Sequence, residues 1–191
     1  MSVKLPEGVT IVETKTKKFM RSADVNFNFD KVTGEMLTWG KTYEDDPDYA
    51  PFPFILDIEV TTMCSGPAGK LCNFCYKSNT PNGVNMSLEN FKNIVDKMPF
   101  LTQMALGADA NGTHNPDLFN MMAYARSKGI IPSLTIADVS KDVAKELAKV
   151  AGAVAVSVYK HAGFDVAFDS VKNLADANKQ QKIIVRRKKN S

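Results

Sequence analysis

From Phe54 onward, short apolar runs alternate with helix-length amphipathic runs, and this alternation limits the available folds more than any other feature. The apolar runs cover 54–62 (FILDIEVTT), 101–108 (LTQMALGA), 130–137 (IIPSLTIA) and 153–159 (AVAVSVY), each a strand candidate. Between and after them lie four helical patterns. The first, 87–98, opens on Ser87 as N-cap. The second, 115–129, has Asn115 as N-cap, Pro116 at its first position and Gly129 as its stop. The third, 140–152, is capped by Ser140 and ended by Gly152, and the fourth covers 164–178. The segment KIIVRR, 182–187, is a candidate fifth strand. Such alternation implies βαβ units, a parallel sheet and right-handed crossovers. The expected architecture is a (β/α) barrel, complete or partial, or an open doubly wound sheet. In either, the working loops follow the carboxyl ends of the strands.

The unusual residues fall in those loops. The loop after the first strand carries the cysteines, the second reads GADANGTHN, the third carries Asp138 just after Thr135, and the fourth strand ends in SVYKHAG. The opposite loops, MPFL and SKGI, are short and plain. Placing special residues at one rim is the arrangement of an enzyme.

Residues 1–50 read differently. Apolar and polar residues alternate on both sides of DKVTGE, which predicts a β-hairpin turning near Asp30, Lys31 and Gly34. The acidic, proline-bearing KTYEDDPDYAPFPF follows as a linker. The expected organisation is hairpin and linker over 1–50, the α/β region over 51–181 and a basic tail over 182–191. That tail holds five basic side chains and no acid, more than the whole net charge of +3. The basicity therefore belongs to a tail, not a face, and argues weakly for nucleic-acid binding. No apolar run approaches the roughly 20 residues of a membrane span. The N-terminus lacks the apolar core of a signal peptide. A cytoplasmic, reducing location is expected, with no membrane partner.

All three cysteines, Cys64, Cys72 and Cys75, lie in Met63–Tyr76, MCSGPAGKLCNFCY. In a reducing compartment such a cluster points to metal binding or catalysis. Structural zinc needs a fourth ligand, which would be His114 or His161. Catalytic zinc needs three ligands and an open position. A [4Fe–4S] cluster normally uses four cysteines, and three leave one iron free for a small molecule. Phe74 and Tyr76 suit a cluster beside an aromatic cofactor better than they suit zinc. Other features carry less. GPAGK lacks the spacing of a phosphate loop. His114 and His161 each read as hydrogen-bonded surface residues. Phe119 and Met122 are helix core. Asn85 and Asn111 head glycosylation patterns that a cytosolic chain does not use.

Cysteines directly after a first strand, closing in Cys72-Asn-Phe74-Cys75, resemble the radical S-adenosylmethionine (radical SAM) superfamily. The spacing here is C-x7-C-x2-C, where the common form is C-x3-C-x2-C. The resemblance covers about residues 52–178. It implies a partial (β/α) barrel of about four to five βα units behind a small N-terminal β-hairpin. It implies that Cys64, Cys72 and Cys75 ligate a [4Fe–4S] cluster whose fourth iron takes S-adenosyl-L-methionine. Phe74 and the backbone of Tyr76 would lie near the adenine. Backbone groups of Gly107, Ala108 and Asp109 would meet the methionine amino group, and Ser157 would face the ribose. Ala108 and Asp109 depart from the family's usual Gly-Glu. The implied activity is reductive cleavage to a 5′-deoxyadenosyl radical that abstracts hydrogen from a substrate the sequence does not name. A low-potential donor such as flavodoxin or ferredoxin would supply the electron. The family core usually has six strands, so a truncated, inactive cluster-binding fragment and a zinc-stabilised binding module stand as alternatives.

Overall fold

The computed structural model describes residues 5–47, 50 and 52–187. Two sheets make up the fold. The first is antiparallel, in the order β1 (Thr10–Glu13), β2 (Lys17–Arg21), β3 (Asn26–Asp30), β4 (Met36–Trp39). The second is parallel, in the order β5 (Ile55–Glu59), β6 (Gln103–Gly107), β7 (Ile131–Ile136), β8 (Ala153–Val158), β9 (Lys182–Arg187). Helices α1 (Leu88–Val95), α2 (Leu118–Ser127), α3 (Lys141–Val150) and α4 (Phe164–Ala177) connect its strands.

Strand order in the parallel sheet follows chain order without a reversal. Successive right-handed crossovers then place every helix on the same face. The side chains agree. Met104, Leu106, Leu134, Ile136, Val154 and Val156 join buried residues of all four helices in one core. The alternate residues, among them Asp57, Ala105, Gly107, Ser133, Thr135 and Ser157, face a cavity on the other side. A doubly wound sheet, with helices on both faces, is thereby ruled out for the described residues.

The helix termini mostly follow the expected signals. Ser87 and Ser140 accept from Asn90 N and Val143 N at their N-termini. Gly129 follows α2 at φ 72°. Asn115 is not the cap of α2, which starts at Leu118. It is buried, donating to Val60 O and Met86 O while its Oδ1 accepts from Asp117 N, so it braces the loop against β5.

The expected hairpin is present as β3 and β4, with Gly34 at φ 78° and Asp30 Oδ1 accepting from Val32 N and Thr33 N. It is half of a larger sheet, since β1 and β2 precede it. Met20, Phe27 and Phe29 pack on Phe52, Phe100 and Ile131 at the amino ends of the parallel strands. The hairpin turn reaches the same end, where Gly34 O accepts from Gln103 Nε2 and Thr33 O from Lys182 Nζ. The antiparallel sheet thus backs the end opposite the cysteine loop. Parts of the expected linker, 48–49 and 51, lie outside the described residues. Of the expected basic tail, 182–187 forms β9, paired in register with β8 from Ala153↔Lys182 to Val158↔Arg187, and 188–191 lies outside the described residues. Among the described residues no helix is long and apolar enough to cross a membrane.

Lys18 is the buried charge of this packing. It sits at an inward position of β2, 2% exposed, and donates to Pro99 O at 2.5 Å and Leu101 O at 3.0 Å. Burial pulls its ammonium below the ordinary lysine range, while Glu13 at 3.4 Å opposes that shift. Lys18→Met keeps the bulk but leaves two carbonyls unpaired. Urea unfolding should show a loss of roughly 2–4 kcal/mol; a loss below about 0.5 kcal/mol would mean those carbonyls find water at no cost.

Candidate functional site

The cysteine loop begins where β5 ends and lies across the carboxyl ends of the next three strands. It makes a hydrogen-bond contact with the loop after each. After β6, His114 Nε2 meets Ser65 Oγ at 3.0 Å. After β7, Asp138 Oδ2 accepts from Ala68 N at 3.0 Å. After β8, His161 Nε2 meets Cys72 Sγ at 3.6 Å. The loop's outer return is tied by Cys64 N to Thr80 O and Thr62 N to Val84 O, both 2.9 Å.

Local conformation makes this course possible. Gly66 has φ 75°, and a Cβ there would collide with the Lys70 carbonyl. Pro67–Gly69 forms a 3₁₀ turn in which Ala68 has φ 50°, a conformation costly for a non-glycine residue. The Asp138 bond to Ala68 N offsets part of that cost.

The three thiols converge at one mouth. Cys64, Cys72 and Cys75 all line a cavity of about 510 Å³ over the helix-free face of the sheet, a size that suits a small organic ligand. Burial pushes the Cys72 thiol upward, and the charges of Cys64 and Cys75 push it further, so the three sulfurs feel one another. Gly66 N donates to Cys64 Sγ at 3.3 Å. Among the described residues, no group of three or more His, Cys, Asp or Glu side chains is gathered so as to hold a metal ion.

The other residues singled out in the sequence group around the same cavity. Tyr76, Gly107, Ala108, Asp109 and Ser157 line it; Phe74 does not. Tyr76 is 90% exposed, so its backbone rather than its ring faces the site. Phe74 instead packs with Tyr159 and His161 in a ring triangle with centroids 5.5–5.8 Å apart. Gly107 lies under the Glu59 carboxylate, which a Cβ there would strike. The Asp109 side chain is committed elsewhere. It is 1% exposed and accepts from Asn111 N, Thr113 N, His114 N and His114 Nδ1.

Ser157 Oγ is buried with no hydrogen-bond partner, although its strand faces the cavity. Tyr159 is nearby: burial raises its hydroxyl pKa, the Ser157 hydroxyl counters this, and the charges of all three cysteines add to the rise. The Ser157 hydroxyl lacks bonding geometry to it, so we regard Ser157 as open to a ligand. An unpaired buried hydroxyl costs free energy that a ligand would recover.

Several participants gave no signal in the sequence. Lys77 bonds both oxygens of Glu59 at 2.8 Å beside the cysteines. Arg186 lines the cavity opposite, as the β9 neighbour of Ser157. His114 and His161 were visible as loop histidines and as the possible fourth ligand of a structural zinc, but the contacts of His114 with Ser65 and of His161 with Cys72 had no local signal. Comparison with known proteins found no family model and no curated protein that matches the chain.

Because Gly66 is fixed by its neighbour's carbonyl, Gly66→Ala should destabilise the fold by at least about 2 kcal/mol. It should also open all three thiols to alkylation. An unchanged melting temperature with unchanged thiol reactivity would show that the loop has another course.

Proposed function

We propose that this chain is a radical SAM domain, a partial (β/α) barrel that binds a [4Fe–4S] cluster and S-adenosyl-L-methionine. The observation that carries the reading is the shared mouth of Cys64, Cys72 and Cys75 over a 510 Å³ cavity on the helix-free face of a consecutive parallel sheet. The donor set suits the group. Thiolates are the ligands such a cluster takes, and all three line one cavity. Three thiolates for four irons leave one iron without a protein ligand.

Cys64, Cys72 and Cys75 would hold the cluster. Backbone groups of Gly107, Ala108 and Asp109 would take the methionine end of the cofactor, the Ser157 hydroxyl its ribose and the Tyr76 backbone its adenine side, with Phe74 packed on Tyr159 and His161 outside the cavity lining. When bound, the cluster would supply the electron that cleaves S-adenosylmethionine to a 5′-deoxyadenosyl radical, which abstracts hydrogen from a substrate. The protein's own part is to bind, orient and exclude water. The small residues of the sheet face, Ala105, Gly107 and Ala155, leave room for a cofactor, and the loop across the rim restricts entry. A low-potential donor such as flavodoxin or ferredoxin would serve it in the cytoplasm.

Two other readings each have an observation in their favour. Zinc at 2.3 Å from sulfur and 2.0–2.1 Å from nitrogen, at a tetrahedral angle, sets the two donors about 3.6 Å apart. Cys72 Sγ and His161 Nε2 stand at 3.6 Å. That favours a zinc-stabilised binding module. Among the described residues the sheet also has two edges, β5 and β9. That favours a cluster-binding fragment without turnover.

Anaerobic reconstitution separates the three. The expected product is brown, holds about four irons per chain, and forms 5′-deoxyadenosine under reductant. Cys75→Ala should abolish the colour. A colourless chain with one zinc would sink the cluster reading, and a brown chain without cleavage would leave only the fragment.

A further inference from the structure

We infer that Asp109, His114 and Ser65 form a strap that positions Cys64, with His114 as its central positioning residue. The inference rests on the reading of Cys64 as a cluster ligand, and it concerns what holds that ligand in place.

The strap is continuous. The Asp109 carboxylate can only accept hydrogen bonds. It accepts from three backbone N–H groups of its own loop, which fixes it, and from His114 Nδ1 at 2.9 Å. The His114 proton therefore sits on Nδ1, and in the neutral ring Nε2 is left to accept. It accepts from Ser65 Oγ–H at 3.0 Å. Ser65 follows Cys64 directly, and Gly66 N then donates to Cys64 Sγ at 3.3 Å. A carboxylate buried at the end of β6 thus orients a sulfur in the loop after β5. Asn85 closes the arrangement from outside, donating to His114 O at 2.7 Å.

The strap serves one cysteine. Cys72 and Cys75 belong to a separate turn, closed by Cys75 N to Cys72 O, which meets His161 and Tyr159 instead of His114. Loss of the strap should therefore free Cys64 alone. It should also weaken the N–H bond to the Cys64 sulfur, and such bonds help set the reduction potential of a cluster.

The test has an arm that needs no iron. In the metal-free chain, alkylation by iodoacetamide is followed at each cysteine by mass spectrometry. In His114→Ala and Ser65→Ala, Cys64 should react about two- to tenfold faster, the change expected from losing one ordinary hydrogen bond. Cys72 and Cys75 should keep their rates, and Ser65→Thr, which retains the hydroxyl, should restore the slow Cys64 rate. No change at Cys64, equal acceleration of all three thiols, or failure of the threonine rescue would each overturn the strap. In the reconstituted chain, His114→Ala should move the cluster midpoint potential more negative than that of the parent chain, and an unchanged potential would overturn its role at the sulfur. A chain that takes up no cluster would count against the proposed function, while the alkylation arm would still decide the strap.

Discussion

The helices of the parallel sheet all lie on one side, and that single constraint organises the rest of the molecule. It follows from consecutive strand order together with the fixed hand of the crossovers. The apolar face of each strand is used up in the core with α1 to α4. The opposite face has no helix to meet, so it needs side chains that tolerate a cavity. Small residues at Ala105, Gly107 and Ala155, with hydroxyls at Ser133, Thr135 and Ser157, meet that need. The lining that keeps this face from being a bare apolar surface also makes it a place for a ligand.

The cysteine loop depends on that arrangement. Its course from β5 across the ends of β6, β7 and β8 is possible because those ends form a continuous rim. Each rim loop meets it through a polar side chain: an imidazole at Ser65, a carboxylate at Ala68 and a second imidazole at Cys72. Gly66 and the left-handed Ala68 let the chain follow the rim. At the other end of the strands, the antiparallel sheet buries Phe27 and Phe29 against Phe52, Phe100 and Ile131. The two ends thus divide the work, one toward stability and one toward the candidate chemistry.

Much of this was legible in the sequence. The βαβ rhythm marked the first four strands and the four helices of the parallel sheet, because apolar runs and caps such as Ser87 and Ser140 are local signals. Two elements were hidden by charge. An inward-facing lysine, Lys18, interrupts the apolar alternation of β2, and its pairing with Pro99 O and Leu101 O depends on residues far along the chain. Most of β9 is exposed, and its basic side chains resemble a solvated tail. At the site, the cysteines were visible because their spacing is local. The partners that hold them were not: Ser65 meets His114 across 49 residues and Cys72 meets His161 across 89. Asp109 was visible as a residue in a strand-end loop, but nothing in the sequence foretold that its carboxylate would bond His114.

The proposed function requires a cluster held by three thiols with one corner left for a sulfonium cofactor. Electron paramagnetic resonance of the reduced, reconstituted chain tests it most directly, recorded before and after adding S-adenosylmethionine. A signal from a reduced cluster that changes shape on addition is the predicted result, since a ligand has then reached the free corner. A signal indifferent to the cofactor, or no iron signal at all, would contradict it.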